Sequence, residues 1–151
     1  MTAVPAPIEI RRFRWANIER ILEIERAVFR SEAYTRRMFR GLDEDCGELF
    51  LIGKRGRRIR GYIATCVWLS HAELISIAVE PGHRRSGIGE AMLLHTIAAL
   101  RARGATKLEL MVSVENPAAI RFYRRHGFRR TGIVARYYDG GVDGMQMRKR
   151  L

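Results

Sequence analysis

The apolar run Leu74-Ile75-Ser76-Ile77-Ala78-Val79 passes through a basic, glycine-bearing loop straight into a long apolar helical pattern, which commits the chain to a layered α and β architecture. The run is rich in β-branched residues and is closed by Pro81-Gly82, so it predicts a central strand. From Gly89 onward, Ala91, Met92, Leu94, His95, Ile97, Ala98 and Leu100 leave few polar positions before Arg101. That spacing predicts a helix buried over most of its circumference, with His95 packed inside it and Gly104 at its C-terminal end. Between strand and helix lie Arg84, Arg85, Ser86, Gly87, Ile88 and Gly89. Gly87 and Gly89 remove side chains where a ligand would approach the backbone, and a helix start offers unpaired amide N–H groups and the positive end of a dipole. Such a place suits a pyrophosphate, with Arg84 and Arg85 adding charge at its rim. The spacing is neither G-x-x-x-x-G-K-[ST] nor G-x-G-x-x-G, which argues against a nucleotide-hydrolase phosphate loop and a dinucleotide fingerprint. Taken alone, the same residues also describe a helix start with exposed arginines.

Elsewhere the periodicity is equally readable. Ile8 to Phe13 predicts a strand, and Ile18, Ile21, Leu22, Glu25, Val28 and Phe29 recur at helical spacing. Ser31 is placed to cap a second helix through about Leu42, where Asp43-Glu44-Asp45 and Gly47 interrupt the pattern. Glu48 to Lys54 and Ile59 to Leu69 flank a glycine-centred basic turn and predict a hairpin. Lys107 to Val114 reads as a strand and Asn116 to His126 as a helix closed by Gly127. Phe128 to Tyr138 reads as a strand that turns at Asp139-Gly140-Gly141 into Val142 to Lys149, where Met145 and Met147 fill core. The order β-α-α-β-β-β-α-β-α-β-β is an α+β arrangement around one mixed sheet of about seven strands flanked by about four helices. The 151 residues suffice for a single domain, 1–151, with one core.

Charge narrows the partners less than it first suggests. Lys and Arg number 28 against 16 Asp and Glu, a net +12, which favours nucleic acid, the ribosome, anionic lipid or a polyphosphate cofactor. The arginines are scattered rather than blocked, so a solvated basic surface explains them equally well. Cys46 and Cys66 show no metal-ligand spacing with each other or with the histidines and are too few to staple a secreted fold. They read as reduced thiols, with no metal site. The stretch from Met1 to Pro7 lacks the pattern of a leader, and no apolar run approaches the ~18 residues needed to span a bilayer. The expected location is cytoplasmic, away from the membrane.

The loop gains specificity from its surroundings. The strand Leu74 to Val79, the R-x-x-G-x-G of Arg84 to Gly89, the helix, and then Asn116-Pro117-Ala118-Ala119-Ile120-Arg121-Phe122-Tyr123-Arg124-Arg125-His126-Gly127-Phe128 follow one another in an order that resembles the GNAT superfamily of N-acetyltransferases. The resemblance covers essentially the whole chain and is strongest from Leu74 to Phe128. It implies a GNAT-like fold and acetyl-coenzyme A as cosubstrate, without a metal. It also implies that Arg84 to Gly89 hold the pyrophosphate, that Ile77, Ala78 and Val79 pair with the pantetheine arm and supply an oxyanion donor, and that Asn116, Ala119 and Tyr123 complete the groove. Tyr123 matches the family tyrosine that protonates the leaving sulfur. Tyr137 to Asp143 resembles the end of the RimI type, which acetylates protein N-terminal amines. The acceptor so implied is a protein N-terminus, that of a ribosomal protein included; a small-molecule amine, or a non-catalytic module binding acyl-coenzyme A or RNA, are the alternatives.

An acceptor ammonium must lose a proton before it attacks, so a base is needed. RimI-type enzymes carry a glutamate five positions before Asn116, and here that position is Met111. Glu109 lies one pleat repeat, ~6.8 Å, away on the same strand face. Glu73 stands four positions before Ile77, where it resembles a catalytic glutamate of histone acetyltransferases, and a carboxyl at the edge of an apolar strand can have its pKa raised toward neutrality. An exposed strand-end carboxylate is the equally open reading. Glu25, Tyr34 and Phe39 fall in the segment that shapes the acceptor entrance in the family, although helical packing alone accounts for their spacing.

Overall fold

The computed structural model describes residues 6–151; the expectation about the stretch from Met1 falls largely on residues 1–5, outside the described ones. The elements follow the anticipated order: β1 (Ile8–Arg12), α1 (Ile18–Phe29), α2 (Arg36–Cys46), β2 (Phe50–Arg55), β3 (Arg58–Trp68), β4 (His71–Val79), α3 (Ile88–Ala102), β5 (Lys107–Ser113), α4 (Pro117–Arg125), β6 (Arg129–Val134) and β7 (Gly144–Arg150). The seven strands form one mixed sheet in the order β1-β2-β3-β4-β5-β7-β6, with β4 and β5 parallel. By backbone contacts the chain divides into two compact units, Met1–Cys66 with Ser76–Ala99, and Val67–Ile75 with Leu100–Leu151.

In the first unit the apolar face of α1, Ile21, Leu22 and Ile24, is fully buried together with Phe39 of α2 and Phe50, Tyr62 and Ile63 of the β2–β3 hairpin. Each such side chain removed from water stabilises the fold by roughly 1.5–3 kcal/mol. Phe13 stacks on Phe50 at 4.1 Å between ring centroids, and Phe39 meets Tyr62 edge-on at 5.4 Å. Two glycines set how closely the layers approach. A Cβ on Gly53 would lie 2.9 Å from Met92 Sδ of α3, and one on Gly61 would lie 2.6 Å from the Ala78 carbonyl of β4. The second unit buries Leu108 and Leu110 of β5, Met145 and Met147 of β7, Ile120 and Tyr123 of α4, and Phe128.

The structure corrects the sequence reading in four places. The second helix is capped by Thr35, whose hydroxyl accepts from the Met38 N–H at 3.2 Å, while Ser31 lies in a single 3-10 turn. The helix also runs through Asp43-Glu44-Asp45, because burial of Phe39 and Cys46 outweighs three carboxylates near the negative end of its dipole. Cys46 and Cys66, read as reduced thiols, form a disulfide: the end of α2 packs on β3 with the two Cα atoms 4.3 Å apart. His95 is exposed rather than packed, as is Leu94, so α3 shows one open face. Finally, β6 stops at Val134 and β7 starts at Gly144. The tight turn lies at the tip of a longer loop, in which Asp143 accepts from the Arg136 N–H at 2.9 Å and the Val142 carbonyl accepts from the Tyr138 N–H at 3.0 Å.

Candidate active site

The loop leaving β4 is held at three points of the first unit. The Glu80 N–H donates to the Arg60 carbonyl at 2.7 Å, and its carboxylate bridges Arg20 at 2.7 Å and Arg60 at 2.5 Å, with His83 Nε2 at 3.7 Å. Burial opposes ionisation of Glu80, but the two guanidiniums outweigh it and hold its carboxyl below the usual value. Farther along, Arg55 of β2 donates to the Ser86 carbonyl at 2.6 Å, and the Ser86 hydroxyl donates to the His83 carbonyl. Arg84, Arg85, Ser86 and Gly87 are exposed. Gly87 has φ near +88°, the left-handed region that favours glycine, and a Cβ there would meet only Ile8 Cδ1, at 3.8 Å. The first i→i−4 bond of α3 runs from the Ala91 N–H to the Gly87 carbonyl, so the amides of Ile88 and Gly89 belong to the first turn, whose N–H groups have no i−4 acceptor within the helix. First-turn amide donors beside an open glycine and two exposed arginines fit a polyphosphate.

On β4 of the same unit, Ser76 precedes Ile77, Ala78 and Val79 and belongs to a polar network the sequence did not assemble. The Tyr62 hydroxyl donates to Glu25 Oε1 at 2.6 Å and lies 2.8 Å from Ser76 Oγ, while Glu25 Oε2 accepts from the Tyr34 N–H at 2.9 Å. Glu25 is 1% exposed. Burial raises its carboxyl pKa, with the Tyr62 and Tyr34 bonds opposing part of the shift. Burial also pushes the Tyr62 hydroxyl well above its ordinary value, and the Glu25 charge adds to that. A signal was present in the sequence: Glu25 sits at an apolar position of the α1 period, where a carboxyl needs partners.

The second unit holds the remaining candidates. Asn116 caps α4, its side-chain oxygen accepting from the Ala119 N–H at 3.2 Å ahead of Pro117, so only its amide NH2 is left to donate elsewhere. Tyr123 is buried against Phe122 and Phe128, with centroids at 5.5 and 5.6 Å. Burial first, and the charge of Tyr138 second, raise its pKa far above the tyrosine norm, so the hydroxyl keeps its proton at any working pH. Glu73 pairs in register with Glu109 on parallel strands. Glu109 is already engaged by Arg148 at 3.0 Å and Gln146 at 3.1 Å. Met111 packs on Gly144, where an added Cβ would lie 2.7 Å from its terminal methyl. Among the described residues, no group of three or more His, Cys, Asp or Glu converges to hold a metal ion.

Residues 15–128, spanning the loop, the Glu25 network and Tyr123, match the Acetyltransferase (GNAT) family. The chain belongs to that family. The fold and the enzyme class expected from the sequence, an N-acetyltransferase, are those of this family. The Escherichia coli [ribosomal protein bS18]-alanine N-acetyltransferase is 39% identical over 93 residues, spanning 60% of this chain and 63% of that enzyme. Its crystal structure superposes with a TM-score of 0.86 at 28% identity, covering 95% of this chain and 94% of the other. Ard1 of Thermoplasma volcanium superposes with a TM-score of 0.90 at 26% identity, covering 95% and 97%. Naa20 of Chaetomium thermophilum, solved with a bisubstrate analogue, gives 0.83 at 25% identity, covering 95% and 86%.

Proposed function

We propose that the protein moves the acetyl group of acetyl-coenzyme A to the N-terminal amine of a protein, with a ribosomal protein as the acceptor class. The observation that carries this reading lies in the first unit: the start of α3, where the first i→i−4 bond begins only at Ala91, and a buried carboxyl linked through Tyr62 to Ser76 on the strand that leads to it. The names of the Escherichia coli and Naa20 relatives support the acceptor. Acetyl-coenzyme A supplies an activated thioester. Arg84, Arg85, Ser86, Gly87, Ile88 and Gly89 bind its phosphates through charge and backbone amides, and Ile77, Ala78 and Val79 offer strand amides; the family pattern assigns Asn116 and Ala119, of the second unit, to the cosubstrate as well. Tyr123, always protonated, is the acid for the departing sulfur.

The geometry favours Glu25 over Glu73 as the base. Glu25 has a pKa raised by burial, which makes its carboxylate a stronger base than an ordinary glutamate, and a hydrogen-bonded path through Tyr62 and Ser76 that can carry a proton inward. Glu73 points to the strand face opposite Ser76 and neighbours the engaged Glu109. Loss of the RimI-type glutamate at Met111 therefore does not leave the chain without a carboxyl for this task. The proposal places the enzyme in the cytoplasm, where such acceptors are made; no helix among the described residues is long and apolar enough to cross a membrane. Titration calorimetry with acetyl-coenzyme A tests the cosubstrate. Saturable binding that weakens in Arg84→Gln/Arg85→Gln is expected, and no binding at millimolar concentration overturns the reading.

A further inference from the structure

Three strands of the second unit end together in a cationic cleft. Lys107, Arg129, Arg148 and Arg150, with Thr106, Gly127 and Leu151, line a cavity of about 760 Å³. The register puts Lys107 directly opposite Arg150 and Arg129 directly opposite Arg148. Like charges facing each other across a ladder destabilise a sheet, and here two such pairs sit side by side. One carboxylate enters the group. Glu109 accepts from Arg148 Nε at 3.1 Å and lies 3.0 Å from Arg148 Nη2, 3.7 Å from Lys107 Nζ and 3.6 Å from His71 Nδ1. It is buried and holds Arg148 and Lys107 in place, offsetting one of the four positive charges. Arg129 and Arg150 have no ion pair or side-chain hydrogen bond among the described residues. Four cations thus face one carboxylate, and two of the cations have no partner among those residues.

Tyr123 comes near one edge of the cleft, its carbonyl accepting from the Phe128 N–H at 3.1 Å beside Gly127, but its side chain is buried and does not line the cavity. β5 begins at Lys107 and ends at Ser113, β7 runs from Gly144 to Arg150, and β6 begins at Arg129. Asn116 and the Tyr137–Tyr138 loop therefore lie at the other end of these strands, ~20 Å along β5. We infer that this cleft binds the phosphate backbone of folded RNA, as a docking site independent of acetyl transfer. Guanidinium forks match phosphate oxygens in pairs, which explains a site built mainly from arginine. No aromatic ring among the described residues lines the cleft, so unstacked bases have nothing there to stack on and the contact reads backbone alone. Among the described residues Leu151 is its one large apolar lining side chain, too little for the anchor cluster of a protein interface or for a membrane-inserting surface.

Fluorescence anisotropy with a labelled RNA hairpin, over a salt series from about 50 to 200 mM, tests the site. Arg129→Gln/Arg150→Gln is expected to weaken binding on the order of tenfold and to lower the log–log salt slope by about two, one per lost phosphate contact. Each single variant should lower it by about one, which keeps the test usable if the double variant folds poorly. Acetylation of a short peptide should proceed at the wild-type kcat/KM in these variants. Arg12→Gln/Arg57→Gln, in the other basic cleft lined by Arg11, Arg12, Arg14, Lys54 and Arg57, should retain the wild-type RNA affinity. Three results would overturn the inference: no binding of the hairpin by the wild type, wild-type affinity and slope in the Arg129/Arg150 variants, or a loss confined to phosphatidylserine vesicles in place of RNA.

Discussion

Glu25 occupies a position that the period of α1 reserves for an apolar side chain, and burial there changes both its chemistry and its contribution to stability. Its folded pKa lies above the ordinary glutamate value of 4.5, so between those two pKa values the native state holds a proton that the unfolded chain releases. Its contribution is complete below about pH 4.5 and is lost as pH rises through the folded pKa. Glutamine at this site can accept from the Tyr34 N–H and donate to the Tyr62 oxygen, whose proton can pass to Ser76. Glu25→Gln is therefore expected to match or exceed wild-type stability at neutral pH in urea titrations, while kcat falls about 10²- to 10⁴-fold and the acidic limb of the rate profile disappears. Glu73→Gln should leave that limb in place. The reverse result would return the role of base to Glu73. The sequence showed Glu25 at a core spacing but could not show its partners, because Tyr34, Tyr62 and Ser76 reach it only through tertiary packing.

At the scale of elements, the strand–loop–helix unit was legible because punctuation and periodicity agree at every step: a β-branched run, Pro81-Gly82, then glycines before an apolar helix. What local sequence does not encode is the cost attached to Gly87. With φ near +88°, an alanine there is strained by about 1–2 kcal/mol whatever the ligand does. Gly87→Ala should lower stability by that amount and also raise the KM for acetyl-coenzyme A; a variant that loses stability with an unchanged KM would remove the loop from the phosphate site. The bounds of α2 are less legible for a related reason. Its true cap, Thr35, and its persistence through Asp43-Glu44-Asp45 depend on Phe39 and Cys46 being buried, which periodicity alone does not weigh. The disulfide was equally invisible, since a separation of 20 residues carries no signal until α2 packs on β3. A closed loop of that length stabilises a fold by about 3 kcal/mol, so reductant should lower the unfolding free energy by about that amount, and Cys46→Ala/Cys66→Ala should be insensitive to it.

For the whole molecule, the two compact units share strand β4, whose residues through Ile75 group with one and from Ser76 with the other. We propose that they unfold as one domain. Trp15 lies in the first unit and Trp68 in the second, so Trp15→Phe and Trp68→Phe each leave one fluorescent reporter. Coincident denaturant midpoints from the two reporters are expected, whereas two separated transitions would mean two folding units. The net charge of +12 implies anionic ligands only in general; strand register distinguishes a cleft whose Arg129 and Arg150 have no partner among the described residues from scattered surface charge. Acetyl transfer to a protein N-terminal amine can be observed directly. The most direct measurement follows acetyl-coenzyme A consumption with an alanine-starting peptide copied from the N-terminus of a ribosomal protein, alongside the same peptide with a blocked N-terminus, free amino acids, polyamines and aminoglycosides, with the acetylated position read by mass spectrometry. Acetylation of the free N-terminal amine, and none on the blocked peptide, is the predicted result; turnover confined to the small amines, or acetyl found only on side chains, would contradict it.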